Sequence, residues 1–257
     1  MGGRGSSLAY KHMNAEDDGP IRITNWNDPE SLLQNEMFKK LKENKVSTRE
    51  STDSIDDKTF ERQQQQVLDV VKKYNKALAN TTRKEDIQLG GEVLTGNTLG
   101  YCSTVVENGE LRQRIVLDKR QFKNYDKITK TVTRGVQNKH FVPINTMFKS
   151  RDYIVTHELG HAVENGIMVK LAEENHIKKE AFFEHKNDLA AKIKNEVIKI
   201  YQKEFAKDNN FDKIFLSKYS RKNDREWFAE TFTNLQLADK PEPIAQALQK
   251  YLRRYEQ

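Results

Sequence analysis

The chain has a single cysteine, Cys102, among its 257 residues. An internal disulfide is therefore excluded, which fits a reducing compartment, and so is any metal site built from several thiolates. Long apolar stretches are missing as well. No run reaches the roughly 18 apolar residues of a membrane span, and Met1 to Tyr10 lacks the apolar core of a secretory signal. Synthesis in the cytoplasm is expected on this basis, with virion association or non-classical delivery as further settings. Hydrophobic residues make up 36% and charged ones 32%, and the mean hydropathy is −0.87. That is the composition of a very polar protein with a disordered part.

The net charge of +6 raises a nucleic-acid partner, so the distribution of charge decides. Between Lys170 and Lys207 nine lysines alternate with seven acids. Such alternation describes a solvated helix surface rather than a basic stripe, and no nucleic-acid partner is expected.

Residues 1–57 are rich in Gly, Ser, Asn, Asp and Lys and read as a tail with one short helix around Leu32 to Leu41. Met1-Gly2-Gly3-Arg4-Gly5-Ser6 formally matches a weak myristoylation pattern but fits a flexible start better. From Asp57 to Ala79, Phe60, Val67, Val71, Tyr74 and Leu78 share one helical face. Leu99 to Val106 and Leu111 to Leu117 are β-prone runs joined by Glu107-Asn108-Gly109-Glu110, a strong hairpin signal. His140 to Ile144 suggests a further short strand ending at Pro143. Helices are expected from Ser150, as N-cap, to about Met168; from about Ala181 to Phe205; from about Asp224; and after Pro241 and Pro243 to the C-terminus. The fold class is therefore α+β. Residues 58–257 form one domain: a helical lead-in over 58–90, the sheet over 91–148 and a helical part over 149–257.

His157-Glu158-Leu159-Gly160-His161 is an H-E-x-x-H pattern. At about 100° per residue, the two histidines return to within roughly 40° of each other on a helix, so both imidazoles can face one ion. Glu158 lies about 60° to one side, suited to touch a water without ligating the metal. Ile154, Val155, Leu159, Ala162 and Val163 give the apolar flanks of a buried helix. One Zn²⁺ per chain is expected. Gly160, unfavourable inside a helix, implies close approach of another backbone, expected to be the sheet. His12, His140, His176 and His185 show no ligand spacing and read as surface residues.

Catalytic zinc keeps three protein ligands and an open position. A metzincin histidine is absent, since position 167 is Ile and Glu164 stands where that pattern has Gly. Glu226-Trp227-Phe228-Ala229-Glu230 instead places two carboxylates on one helix face, with apolar residues between them to anchor the helix. Glu226 can be the third ligand and Glu230 can orient a ligand histidine. Alternatively, with Asn223 as N-cap, Glu226 is a capping-box acid.

His157 to Val163 together with Glu226-Trp227-Phe228-Ala229-Glu230-Thr231-Phe232 resembles the catalytic domain of the anthrax lethal factor and the related Pro-Pro endopeptidases. This gluzincin group pairs H-E-x-G-H-A with a later E-F-F-A-E-x-F segment and places a catalytic tyrosine seven residues before its first Glu. The resemblance covers roughly residues 90–257. It implies a zincin-like fold, Glu226 as ligand, and Tyr219 as donor to the developing oxyanion. Trp227 departs from the usual Phe, and the missing signal contrasts with secreted members, so secretion and proline-directed specificity are not carried over.

The expected activity is that of a zinc metalloendopeptidase acting on a protein or peptide substrate, with Leu111 to Leu117 or His140 to Ile144 as the strand edge that receives it. Two other settings stand beside it. A prophage or mobile-element protein could process a capsid component or cleave a repressor, although the acid segment of that regulator family, E-x-x-A-N-x-F-A, is not matched here. A translocated toxin could carry a lethal-factor-like protease domain.

Overall fold

The computed structural model describes residues 57–78, 81, 87–92, 94–95, 98–107, 110–118, 120–121, 124–205 and 211–256. The tail expected over residues 1–57, including the myristoylation pattern and the helix near Leu32, lies outside them except for Asp57.

One helix organises the rest. Helix α5 (Tyr153–Glu174) follows α1 (Asp57–Lys73), α2 (Asn75–Leu78), α3 (Tyr125–Gln137) and α4 (Thr146–Lys149), and precedes α6 (Phe182–Glu204), α7 (Asp224–Leu237) and α8 (Pro243–Leu252). It is buried on every side from Tyr153 to Val169, as only a helix surrounded by other elements can be. Helices α1, α2, α6 and α7 and the sheet all pack on it.

The amphipathic lead-in helix is present and breaks at Tyr74, with Val67, Val71, Tyr74 and Leu78 buried as expected. Two of its glutamines, Gln63 and Gln66, and Arg62 have a further task. Arg62 grips the buried carboxylate of Asp152 with Nε–Oδ2 at 2.9 Å. Gln63 donates to Arg151 O at 2.6 Å, and Gln66 donates to Thr156 Oγ1. These contacts tie α1 to the start of α5. Ser150 is not the N-cap: it sits in a 3₁₀ turn, and its hydroxyl donates back to Thr146 O. The reason is that α4 and this turn run almost without a break into α5, which leaves no extended capping residue.

The sheet has three strands in the order β1 (Ile87–Glu92), β3 (Glu110–Asp118), β2 (Gly100–Glu107). The predicted hairpin forms, with Tyr101 opposite Val116 and Glu107 opposite Glu110; its Asn108-Gly109 turn lies outside the described residues. β1 joins β3 in parallel, so the sheet is mixed and not wholly antiparallel as expected. Along β3, Leu111, Gln113, Ile115 and Leu117 alternate on a buried face, and Gln113 Nε2 donates to Ala162 O of α5 at 2.9 Å.

Three sequence expectations are corrected. Leu111 to Leu117 lies in the central strand and offers no edge; among the described strands the edges are β1 and β2. His140 to Ile144 forms no strand, because its groups bond elsewhere: Val142 N–H donates to Tyr153 Oη and to Glu230 Oε2. The segment assigned to the sheet also contains α3, whose N-cap Asn124 accepts from Lys127 N–H and whose Tyr125, Ile128 and Val132 are buried. The molecule is mostly helical with a small sheet, an α+β arrangement. Among the described residues no helix is long and apolar enough to cross a membrane.

Candidate metal centre

His157 and His161 occupy successive turns of α5, with ring centroids 4.9 Å apart and planes nearly perpendicular. Over them crosses α7. A Cβ built on Gly160 would lie 3.0 Å from Ala229 Cα and 3.3 Å from Phe232 Cβ. The close neighbour that Gly160 admits is therefore α7 and not the sheet. Trp227 and Phe228 fix that crossing from within the core, and the Trp227 indole donates to Ile214 O at 2.7 Å.

The crossing suspends Glu226 above both imidazoles. Its Oε2 lies 3.1 Å from His157 Nε2 and 3.4 Å from His161 Nε2. One ligand atom from each of the three residues falls within 4.8 Å of the others. Asn223 caps α7 by accepting the Glu226 backbone N–H at 2.8 Å. The N-cap expectation is thus met, while the Glu226 carboxylate is turned to the histidines.

Carboxylates also stand behind each imidazole. Glu230, fully buried, has Oε1 3.2 Å from His157 Nδ1, close but not aligned as a hydrogen bond. The same carboxylate accepts from the hydroxyls of Tyr153 and Ser217 and from Val142 N–H. Glu164 has Oε2 3.8 Å from His161 Nδ1 and 3.4 Å from Arg225 Nε. Neither Glu164 oxygen has an aligned hydrogen bond, although the residue is fully buried.

Four carboxyl groups, Glu158, Glu164, Glu226 and Glu230, crowd the two imidazoles, while among the described residues two cations, Arg225 and Lys222, touch them, an excess of two acids over cations. Burying such an excess is costly without a counter-ion. Two imidazoles and a carboxylate are also the donor set of catalytic zinc, and a divalent cation removes the excess. The residues present therefore fit the expected metal.

Proton affinities follow the same charge pattern. Burial alone would lower the His157 pKa, but Glu226 and Glu230 outweigh it and raise it to about 10. Burial opposes the charge on Glu226, yet the two imidazoles hold its carboxyl well below the usual range. Glu158, packed beneath the first residue of β2, is pushed up by burial and only partly restrained by His157 and His161. A carboxyl shifted upward in this way holds a proton more readily than an ordinary glutamate, as a general base must.

Tyr219, which only the family resemblance brought to the site, lies against the proposed metal ligands. Its hydroxyl is 3.5 Å from Glu226 Oε1, and its ring centroid is 5.8 Å from that of His157. Burial, followed by the charges of Glu226 and Glu158, raises its pKa, so it remains a donor. Ser217 and Ser220 exchange hydrogen bonds within the turn that carries Tyr219, and Ser217 also binds Glu230. The support of His157 and the placing of Tyr219 thus share one residue. His140 is exposed with its ring 5.5 Å from that of Tyr219, and His176 and His185 are exposed, as expected; His12 lies outside the described residues.

The sequence reading did not identify Glu164, Arg225, Ser217 or Tyr153 as parts of this site. Glu164 had a usable signal in its i,i+3 spacing from His161. The others are brought in by the fold. Comparisons with protein-family models, curated proteins and solved structures return no match to this chain.

Proposed function

We propose that the protein is a zinc-dependent endopeptidase with a zincin-like domain, of the gluzincin kind that its two motifs resemble. The observation that carries this reading is the convergence of His157, His161 and Glu226 within 4.8 Å, with buried Glu158 beside them. Zinc held by these three residues supplies Lewis acidity, polarising a peptide carbonyl and lowering the pKa of a water molecule.

The chain's own groups complete the chemistry. Glu158 accepts the proton of the attacking water and returns it to the leaving amine. Tyr219 Oη donates to the carbonyl oxygen as negative charge develops there. Glu230 and Glu164 fix the orientation of the two imidazoles from behind. β2 begins at Glu158 and is a sheet edge among the described strands, so it is the strand to which an extended peptide can add.

Two measurements test the reading. Metal analysis of purified protein is expected to give one zinc per chain, lost in Glu226→Ala. Incubation with a peptide library is expected to give cleavage that a chelator stops and added zinc restores. Cleavage indifferent to chelator would overturn the proposal.

A further inference from the structure

Along β2, Gly100, Cys102 and Thr104 occupy alternate positions and so share one face of the sheet. Gly100 meets Glu158: a Cβ there would lie 3.2 Å from Glu158 Cγ. Cys102 meets Asn165, whose Nδ2 lies 3.5 Å from its sulfur. Thr104 meets Lys186 of α6, whose Nζ donates to its hydroxyl at 3.4 Å. A line of contacts thus leads from the proposed base outward along the strand.

Two cations stand on this line. Arg225, next to Glu226 in the chain, reaches down to α5 and donates from Nη2 to Asn165 Oδ1 at 3.1 Å. Its Nε faces Glu164 without an aligned hydrogen bond, and the side chain remains 26% exposed. Lys186 is half-buried over the rings of Phe182 and Phe183, each 5.9 Å from Nζ, and Phe183 is open to solvent. Among the described residues Nζ has no carboxylate within ion-pair distance.

Among the described residues no free carboxylate supplies the missing counter-charge. Glu164 is committed to Arg225 and His161. The Cys102 thiol is pushed up to about 12, by burial first and then by the charge of Glu158, and is therefore neutral. Burial, reinforced by Arg225, lowers the Lys186 ammonium to about 8, which leaves it mostly charged at neutral pH yet poorly solvated. A partly buried ammonium without a carboxylate partner, on the same line of contacts along β2 as a guanidinium, is a cost to the free protein that a bound anion relieves.

We propose that Lys186 and Arg225 form a subsite that receives a carboxylate of the peptide substrate, on the Thr104 side of Glu158. The inference rests on the peptidase reading for its occupant. Four residues of strand span about 13 Å, so the carboxylate belongs to a substrate residue some two to four positions from the bond that is cut. An Asp or Glu side chain and a free C-terminus offer the same chemistry, and the test separates them.

The probe is a set of fluorescein-labelled octapeptides with Asp at each position in turn, each paired with its Asn counterpart. Every peptide is made both as C-terminal acid and as amide, and binding is measured to zinc-loaded full-length Glu158→Gln protein. At one position Asp is expected to bind about 10–100-fold tighter than Asn, as a charge-assisted hydrogen bond supplies. In the added Lys186→Met variant this preference is expected to shrink to about twofold, and Lys186→Arg to keep it. Lys186→Met matches the volume of the aliphatic stem, and a thermal melt confirms its fold.

A preference for the C-terminal acid over the amide that Lys186→Met abolishes would assign the same pocket to the chain terminus. Equal binding of Asp and Asn peptides at every position together with equal binding of acids and amides, or a preference unchanged in Lys186→Met, overturns the subsite. Wild-type protein is assayed for cleavage of the same peptides in parallel. Lys186-dependent binding without any cleavage keeps the subsite and removes the peptidase reading; cleavage without carboxylate preference does the reverse.

Discussion

Glu230 Oε1 lies 3.2 Å from His157 Nδ1, in a fully buried position where the same carboxylate also accepts from Tyr153, Ser217 and Val142. A carboxylate there favours the His157 tautomer with its proton on Nδ1, which leaves Nε2 free on the side of Glu226. Glu230→Ala is therefore expected to weaken zinc binding by about 10–100-fold, measured by competition with a chromogenic chelator. Unchanged affinity in a folded variant would show that the contact does not orient the imidazole.

Tyr219 touches the proposed reacting groups without contributing a ligand atom. Tyr219→Phe is expected to keep one zinc per chain and the substrate KM, while kcat falls by about 10²–10³-fold, as loss of an oxyanion donor does. Steady-state kinetics on any cleaved peptide separate these outcomes, and a loss confined to KM would assign the tyrosine to binding.

The acid–base state of the site gives a pH prediction. In chelated protein the His157 pKa lies at about 10 against an ordinary 6.5, because Glu226 and Glu230 overcome the effect of burial. A folded-state pKa above the unfolded one adds stability that is complete below 6.5 and is lost as pH rises through about 10. Glu226 has the opposite sign: its contribution is present above the usual carboxylate range and is lost as pH falls through its depressed pKa. The denaturation midpoint of chelated protein should thus fall from pH 7 to pH 10, and that of zinc-loaded protein should fall less. Zinc binding at pH 7 should also release at least about one proton, read by calorimetry in buffers of different ionisation enthalpy. No proton release would contradict the charge pattern described.

Gly166 lies against α2: a Cβ there would fall 2.1 Å from Ala77 O and 2.8 Å from Ala77 C, both backbone atoms that cannot swing aside. Gly166→Ala is expected to lower stability by about 1–3 kcal/mol, despite the better helix propensity of alanine. The melting temperature should drop by several degrees while zinc stoichiometry is kept.

The parts of this molecule that were legible in its sequence are those written in local spacing. The i,i+4 histidines, the paired acids of Glu226 and Glu230 and the Asn-Gly between two β-prone runs each have a short-range signal, whereas Tyr219 was named only by the family resemblance. The structure brings the histidines, the acids and Tyr219 together and pairs the runs. What was not legible depends on which element packs where. Gly160 signalled a close neighbour, but only the crossing of α7 shows which one. Val142 carries a strand-like pattern, yet its N–H is taken by a glutamate from a distant helix. Lys186 sits among alternating charges that describe a solvated surface, and its own burial against β2 is a tertiary event that no charge pattern announces.

The central claim is that Glu158 activates water beside zinc held by His157, His161 and Glu226. It is tested most directly by incubating zinc-loaded wild type and zinc-loaded Glu158→Gln with one peptide library and identifying the fragments by mass. The account predicts one zinc in each protein, cleavage at defined bonds by the wild type, and a rate at least about 10²-fold lower in the variant. Equal cleavage by the two proteins, with zinc bound in both, would contradict it.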